Sequence, residues 1–238
     1  MSPTLPRRLV AEGTATAMLA AVVVGSGIMA ERLTDDRALQ LLVNSTATGA
    51  VLVALILAFG WVSGAHLNPV VTAAEVALGG LPRREGAAYA AVQVAGACLG
   101  TVVANVMFDL PAVTTSTHER SGTPLWVAEV VATAGLLLVI LGVVRSGRAH
   151  QAAYAVAGYI AAAYWFTSST SFANPAITIG RALTDTFAGI APSSVPAFVA
   201  AQAVGGTLAL LLAGFTFHQP QGTELVVDHL DPTRGGPS

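Results

Sequence analysis

The sequence predicts an all-α membrane protein, and three observations point to this fold class. Hydrophobic residues make up 54% of the 238 residues and charged residues only 10%, whereas soluble domains carry about 25% charged residues. Several apolar runs reach the ~20 residues that cross a hydrocarbon core of ~30 Å. The two halves of the chain also repeat one another in order. The composition excludes a disordered chain, and the single cysteine, Cys98, excludes a disulfide-stapled domain.

Six apolar runs are predicted to be transmembrane helices. The first is not a cleaved signal peptide, because it lacks a clear small-residue cleavage site and five further spans follow it. The fifth is the shortest and is rich in alanine. The runs are residues 9–30, 41–62, 87–108, 125–144, 152–168 and 196–217.

The basic residues set the predicted orientation. All 11 are arginines, and an N-terminus inside the cell puts seven of them on the cytoplasmic side. The positive-inside rule therefore predicts cytoplasmic N- and C-termini in an inner (plasma) membrane. The net charge is −2 and no basic stripe interleaves with aromatics, which excludes a nucleic-acid partner. The seven arginines are Arg7, Arg8, Arg83, Arg84, Arg145, Arg148 and Arg234.

Two shorter apolar segments, 68–78 and 174–183, follow full spans directly. At 1.5 Å per residue each covers ~15 Å, about half of the hydrocarbon core. Such a segment enters the membrane and turns back, provided that protein or water covers its backbone. Each begins with an Asn-Pro pair, and these residues suit the N-cap and the first position of a helix. We therefore predict two re-entrant half-helices.

The two halves carry matching motifs in the same order. Glu12 matches Glu129, the first Asn-Pro pair matches the second, and the Tyr-x3-Gln-x2-Gly motif from Tyr89 matches the Phe-x3-Gln-x2-Gly motif from Phe198. Because each half has three spans, the second half begins on the opposite side of the membrane, which makes an inverted repeat. The chain is then one channel domain, 1–238, with repeats over 7–110 and 124–217. The polar residues 219–238 are predicted to be a disordered cytoplasmic tail.

Interrupted segments at matching places in two inverted repeats indicate the solute path. The two half-helices are predicted to meet at mid-membrane with their N-termini facing, where helix dipoles make the path positive and oppose cations. The amides of Asn68 and Asn174 can donate hydrogen bonds to a passing oxygen. Carbonyls in 63–67 and 169–173 can accept them. A neutral hydroxylated solute is then partly compensated for its lost water, whereas an ion is not.

These features resemble the aquaporin and glycerol-facilitator superfamily, which has six spans, paired Asn-Pro boxes and matching intramembrane glutamates. The resemblance implies the aquaporin hourglass fold, a passive channel without enzymatic activity or cofactor, a pore in each subunit, and a homotetramer. The expected partners are membrane lipid and a small neutral solute. No metal site is predicted, because the histidines are scattered. The boxes are Asn68-Pro69-Val70, in which the superfamily usually has alanine third, and Asn174-Pro175-Ala176.

The superfamily's outer constriction, counted from the boxes, falls at Thr48, Ala162, Ser171 and Ile177. Arginine is usual at the last of these positions, so the sequence predicts a widened, arginine-free constriction that passes solutes larger than water. Arg181 lies one helical turn beyond Ile177. It can reach back to the pore mouth, anchor at the surface, or pair with Asp185.

The run 171–190 is similar to a bacterial subgroup associated with arsenic resistance. The resemblance implies passage of neutral metalloid hydroxides or methylated arsenicals, beside polyols. A water-selective channel is the near alternative. An ion-coupled transporter is the alternative from another class, and it needs Glu12, Glu129 or His66 as its titrating group. The repeat and the superfamily instead favour loop support by both glutamates, with His66 holding its loop or lining the pore.

Overall fold

The structure is a computed structural model, and it describes residues 3–217. The predicted tail, 219–238, lies outside the described residues. The described chain forms eight α-helices and no strand. They are α1 (Leu5–Leu33), α2 (Arg37–Ser63), α3 (Pro69–Ala77), α4 (Arg83–Met107), α5 (Thr123–Arg145), α6 (Ala152–Phe166), α7 (Pro175–Gly180) and α8 (Val195–Thr216).

The long helices agree with the predicted spans. Within residues 3–217, five helices are long and apolar enough to cross a membrane, namely α1, α2, α4, α5 and α8. The sixth, α6, has 15 residues and is ~22 Å long at 1.5 Å per residue. A 3-10 turn, Ala149–Gln151, precedes α6 and lengthens it. The prediction of an all-α membrane fold is therefore confirmed.

The two short helices begin at the Asn-Pro boxes, as predicted. Oδ1 of Asn68 accepts a hydrogen bond from the Val70 amide at 2.9 Å, and Oδ1 of Asn174 accepts one from the Ala176 amide at 3.0 Å. These are N-caps, which satisfy amides that have no partner within the helix. The second half-helix is shorter than predicted, because α7 changes into a 3-10 turn at Arg181.

Glycines let the long helices of each half approach closely. Gly96 of α4 lies so near Gly13 of α1 that an added Cβ would overlap the Gly13 carbonyl oxygen. An added Cβ at Gly205 of α8 would likewise overlap the carbonyl oxygen of Val130 of α5. The pairs α1–α4 and α5–α8 occupy matching places in the two halves, and small residues at such contacts are a general means of packing membrane helices.

Candidate pore

The loops that lead into the half-helices follow an unusual backbone path. Ala65 and Leu67 have positive φ angles of 46° and 51°, and Ser171 and Ala173 have 51° and 47°. Each pair stands at the same distances before its box asparagine. Non-glycine residues in this region cost about 1–3 kcal/mol each. The surrounding contacts must offset that cost in both halves.

Glu12 holds the first of these loops. The residue is fully buried. Its Oε1 accepts hydrogen bonds from the Ser63 hydroxyl at 2.7 Å and the His66 amide at 2.9 Å. Its Oε2 accepts from the Leu67 amide and from Nε2 of Gln93, both at 2.8 Å. Hydrogen bonds to a charged acceptor are the strong ones in a protein interior, and here two of them fix loop amides.

Glu129 does the same for the second loop. Its Oε1 accepts from the Phe172 amide at 2.9 Å, and its Oε2 accepts from the Ala173 amide at 2.9 Å and from Nε2 of Gln202 at 2.6 Å. Each glutamate thus accepts from the two amides that precede its box asparagine, namely those of His66 and Leu67 in the first half and those of Phe172 and Ala173 in the second. Neither glutamate lines the central cavity described below.

The two boxes meet at the centre of the molecule. Nδ2 of Asn68 donates to the carbonyl of Ala173, and Nδ2 of Asn174 donates to the carbonyl of Leu67, each at 2.7 Å. An amide NH2 group has two hydrogens, so each asparagine keeps one donor besides this cross-contact. Val70 fits at the first box because the facing position on α8 is Gly206, where an added Cβ would overlap the valine side chain.

A central cavity runs past both asparagines, between the two halves. His66 lines it on the side of the first box, where its Nδ1 lies 3.1 Å from the Thr72 hydroxyl. Its Nε2 has no hydrogen-bond partner among residues 3–217. Much of the wall is aliphatic. The aliphatic side chains are Leu19, Val23, Leu52, Ile56, Leu67, Val71, Leu136, Ile140, Val156, Ile160 and Ile177.

Arg181 lies in this cavity, so the prediction of an arginine-free constriction is wrong. The side chain is only 2% exposed. Its guanidinium carbon lies 3.5 Å from the centroid of the Phe172 ring, and its Nε donates to the carbonyl of Ala188. The 3-10 turn after α7 carries the residue back towards Ile177, which lines the same cavity. Burial excludes the surface anchor.

Asp185 is not the partner of Arg181. Its Oδ1 accepts from the Thr117 amide at 2.8 Å and lies 3.7 Å from Nε2 of His118. Asp185 therefore ties two loops together at the end of the molecule that is predicted to face outward.

The position assigned to α6 also needs correction. Ala162 is exposed and does not line the cavity, whereas Tyr164 is buried and lines it. Val156, Ile160 and Tyr164 recur every four residues and so share one face of α6. Ala162 is two residues out of this phase and points away. The recurrence was visible in the sequence and is the signal that counting from the box missed.

Five side chains therefore surround the end of the cavity that is predicted to face outward, and we call them the outer cluster. The hydroxyls of Thr48 and Tyr164 lie 3.1 Å apart. The Ser171 hydroxyl is buried and has no hydrogen-bond partner in the described part of the chain. The cluster combines three hydroxyls, one cation and one aliphatic side chain. Its members are Thr48, Tyr164, Ser171, Ile177 and Arg181.

Comparison with known proteins decides what this architecture is. Residues 1–163 match the family model described as Major intrinsic protein. The chain belongs to the major intrinsic protein family. It is 50% identical over 208 residues to aquaglyceroporin AqpS of Rhizobium meliloti (strain 1021), which is 87% of this chain and 89% of that protein. It is 39% identical over 149 residues to aquaporin NIP1-4 of Oryza sativa subsp. japonica, 58% of this chain and 53% of that one.

A solved structure supports the fold. The aquaglyceroporin from Plasmodium falciparum matches with a TM-score of 0.71 at 22% identity, covering 90% of this chain and 97% of that chain. Family members of this type are membrane channels and not enzymes. The chain is therefore an integral, multi-pass membrane channel, and the hourglass of paired half-helices is its fold.

The loop contact at Asp185 gives a testable pH dependence. The hydrogen bond from the Thr117 amide is the main cause that lowers the pKa of the Asp185 carboxyl. A lowered folded-state pKa stabilises the contact above the ordinary value of about 3.9, and this stabilisation is lost as the pH falls through the lowered pKa. We expect the Thr117 amide to keep its protection from hydrogen exchange down to about pH 4.

In Asp185→Asn that protection should fall at pH values above about 4, because the charged acceptor is gone, and the two proteins should converge as the wild-type carboxyl is protonated. Asp35→Asn, at an exposed acid, serves as the control and should leave the Thr117 amide unchanged. Equal exchange in wild type and Asp185→Asn would show that this contact does not order the loop.

Proposed function

We propose that the protein is a passive channel for small neutral solutes larger than water, namely polyols such as glycerol and neutral metalloid hydroxides or methylated arsenicals. The observation that carries the proposal is the two-sided lining of the central cavity. Aliphatic side chains form much of the wall, while hydroxyl, amide and guanidinium groups face the same space. A carbon chain with hydroxyls matches such a lining better than water does. The aquaglyceroporin name of the 50% identical relative agrees with it.

Passage requires that the solute's lost hydrogen bonds to water be replaced, because an unpaired polar group costs about 1–3 kcal/mol in a protein interior. At the outer end the Arg181 guanidinium and the Ser171 hydroxyl can donate. At the centre the second N–H of Asn68 and of Asn174 can donate to the next hydroxyl. The apolar side of the solute meanwhile slides along aliphatic side chains. A neutral polyol is thus compensated at two successive points.

Cations meet a different environment on the same path. Arg181 places a full positive charge beside the cavity, and its side chain has no carboxylate partner among residues 3–217. The N-terminus of α3 adds a partial positive charge at the centre. Neither glutamate lines the cavity, which leaves His66 as the one of the three candidate titrating groups on the path. The membership of a channel family makes uncoupled flux the expectation.

The setting of the channel is part of the proposal. We place it in the inner (plasma) membrane with both termini in the cytoplasm, because seven of 11 arginines then face inward. A homotetramer is expected from the family resemblance, with a pore in each subunit. Chemical crosslinking in native membranes tests the tetramer, and protease access to each terminus tests the orientation.

One observation favours a narrower, water-selective channel. Tyr164 and Arg181 are both large, and both stand where a widened opening was predicted. The hydroxyl of Tyr164 reaches across to Thr48 on α2. If these side chains close the outer cluster to all but water, solutes the size of glycerol will be excluded.

Stopped-flow light scattering on proteoliposomes separates the two functions. We expect rapid, uncoupled uptake of glycerol, arsenous acid and a methylated arsenical, unaffected by membrane potential or a proton gradient. Rapid water flux with all three solutes excluded would establish the water channel instead. Uptake that follows the proton gradient would contradict both channel functions and would support the ion-coupled transporter.

Ile177→Arg tests the outer cluster as the filter. The longer side chain narrows the cavity beside Arg181, and the second cation repels the first. We expect glycerol permeability to fall about tenfold and water permeability by much less, measured in the same proteoliposomes. Ile177→Leu nearly conserves volume and should change both by less than about twofold. Equal losses for glycerol and water in Ile177→Arg would mean that the filter lies elsewhere.

A further inference from the structure

We propose that the outer cluster binds a small carboxylate anion end-on to Arg181, and that this anion blocks the channel. The inference deepens the proposed function, since the blocked solute is the neutral one. It starts from a charge without a partner. Only two ion pairs occur among residues 3–217, and neither includes Arg181. A buried cation that faces a cavity is poorly compensated until an anion or water joins it.

The guanidinium is presented in the orientation that a carboxylate needs. The Nε atom of Arg181 donates to the carbonyl of Ala188, and the face of the group stacks on Phe172. Nη1 and Nη2 have no protein acceptor within the described residues. Stacking fixes the plane of the guanidinium and the Nε bond fixes its direction, so both outer nitrogens form a prepared fork. Two parallel N–H donors match the two oxygens of a carboxylate.

A second, independent group lies in the same cavity. Ser171 is 2% exposed, and its hydroxyl has no hydrogen-bond partner among the residues that the structure describes. Buried hydroxyls are rarely left without a partner. With Arg181 it supplies a third donor for a ligand that carries only acceptors. The orphaned hydroxyl therefore indicates a ligand position and not merely a charged wall.

The surroundings favour negative charge. The guanidinium of Arg120 lies 5.1 Å from the centroid of Phe172, the same ring on which Arg181 stacks. Arg120 donates to the carbonyls of Gly189 and Phe187 and has no carboxylate hydrogen-bonded to it among residues 3–217. Glu129 is the acid near this site, and its oxygens accept from loop amides and a glutamine. Two cations with no acid paired to either one attract an anion to this mouth.

Inward movement of the same anion is costly, because beyond Arg181 the cavity offers it only one spare N–H from each box asparagine and the partial charge of a helix end. Beyond the outer cluster the cavity wall includes Leu52, Ile56, Ile140, Val156 and Ile160, which offer no hydrogen bonds. Moving an ionised carboxylate from a prepared fork to an apolar wall costs far more than moving a neutral hydroxyl. The anion therefore stays at Arg181 and occupies the space that a neutral solute must cross. Binding without passage is inhibition.

The test uses formate as the probe at pH 7.5, where its carboxyl is ionised. Glycerol uptake into proteoliposomes is measured with rising sodium formate outside, against sodium chloride of equal osmolarity and against neutral formamide of similar shape. We expect saturable inhibition by formate alone. In Arg181→Gln the half-inhibitory concentration should rise about tenfold or more, because two charge-assisted hydrogen bonds are lost. Arg37→Gln removes an exposed arginine near the same end of the molecule and should leave the half-inhibitory concentration of formate unchanged.

Two further measurements keep the outcome unambiguous. If Arg181→Gln does not fold, Ser171→Ala removes the third donor and should raise the half-inhibitory concentration severalfold. Calorimetric titration of the purified protein with formate reports binding without any flux. Binding in a protein that excludes glycerol would overturn the proposed function and leave this site standing. The proposed site would be wrong if formate inhibited glycerol uptake no more strongly than chloride. It would also be wrong if formate inhibited the wild type and Arg181→Gln equally.

Discussion

Replacing Arg181 with glutamine should raise the sodium and proton permeability of the channel about a hundredfold. A unit charge about 4 Å from a permeating cation opposes it by about 4 kcal/mol at an effective dielectric constant of 20. Each 1.4 kcal/mol is a factor of ten, so the full effect is about a thousandfold before ionic screening reduces it. Arg181 lines the central cavity and has no carboxylate partner among the described residues. Glu129 attracts the guanidinium but does not pair with it, so the charge of Arg181 is only partly offset locally.

The measurement is the decay of a proton or sodium gradient across proteoliposomes that contain each variant. Arg181→Lys keeps the positive charge but lacks the two outer guanidinium nitrogens, so it should retain most of the cation exclusion. Arg37→Gln removes an exposed arginine and should leak no more than wild type. An Arg181→Gln variant that is folded, conducts glycerol and stays tight to cations would place the barrier at the central boxes instead.

The fold could be predicted from the sequence because its determinants are local and repeated. Apolar runs of the right length gave the spans, and the Asn-Pro pairs gave the starts of α3 and α7, where both asparagines act as N-caps. The main departure was the early end of α7, where the chain tightens into a 3-10 turn. Gly180, the last residue of α7, weakens the helix at that point, and it packs so closely on Ala97 of α4 that an added Cβ would overlap the backbone.

The outer cluster was only partly predictable. Thr48, Ser171 and Ile177 were found by counting from the boxes, and all three line the cavity. Ala162 failed because counting along the chain ignores the phase of α6, which turns Tyr164 inward. Arg181 was predicted at the pore mouth only as one of three alternatives, because its position depends on the 3-10 turn and on stacking with Phe172. Side chains that reach a site from outside a helix carry no periodic signal.

The left-handed residues before the boxes had no signal at all. Glycine usually marks such positions, yet the chain has alanine, leucine and serine there. What stabilises them is distant in sequence: Glu12 and Glu129 accept amide hydrogen bonds from residues more than 40 positions away. The sequence showed the matching glutamates but not the strain that they offset.

That dependence predicts a large loss of stability when either glutamate is neutralised. In Glu12→Gln the amides of His66 and Leu67 lose a charged acceptor, and one of them faces an NH2 group instead. Each unsatisfied buried donor costs about 1–3 kcal/mol, so the total is about 3–5 kcal/mol out of a stability of about 5–15 kcal/mol. A loss of that size lowers the melting temperature by about 10 °C in a chain of this length.

Glu129→Gln should lose slightly less, because Glu129 accepts three hydrogen bonds where Glu12 accepts four. The matched control is Glu85→Gln, whose carboxylate pairs with Arg8 at the half-exposed end of α4. Such surface pairs contribute about 1 kcal/mol or less. Melting temperatures of the purified variants give the comparison, and activity gives the second readout.

A glutamate that couples ion movement would behave in the opposite way. Its replacement would abolish the pH or potential dependence of flux, while the melting temperature stayed close to that of Glu85→Gln. Loop support instead requires that stability falls first, and that any protein which remains folded conducts without a gradient.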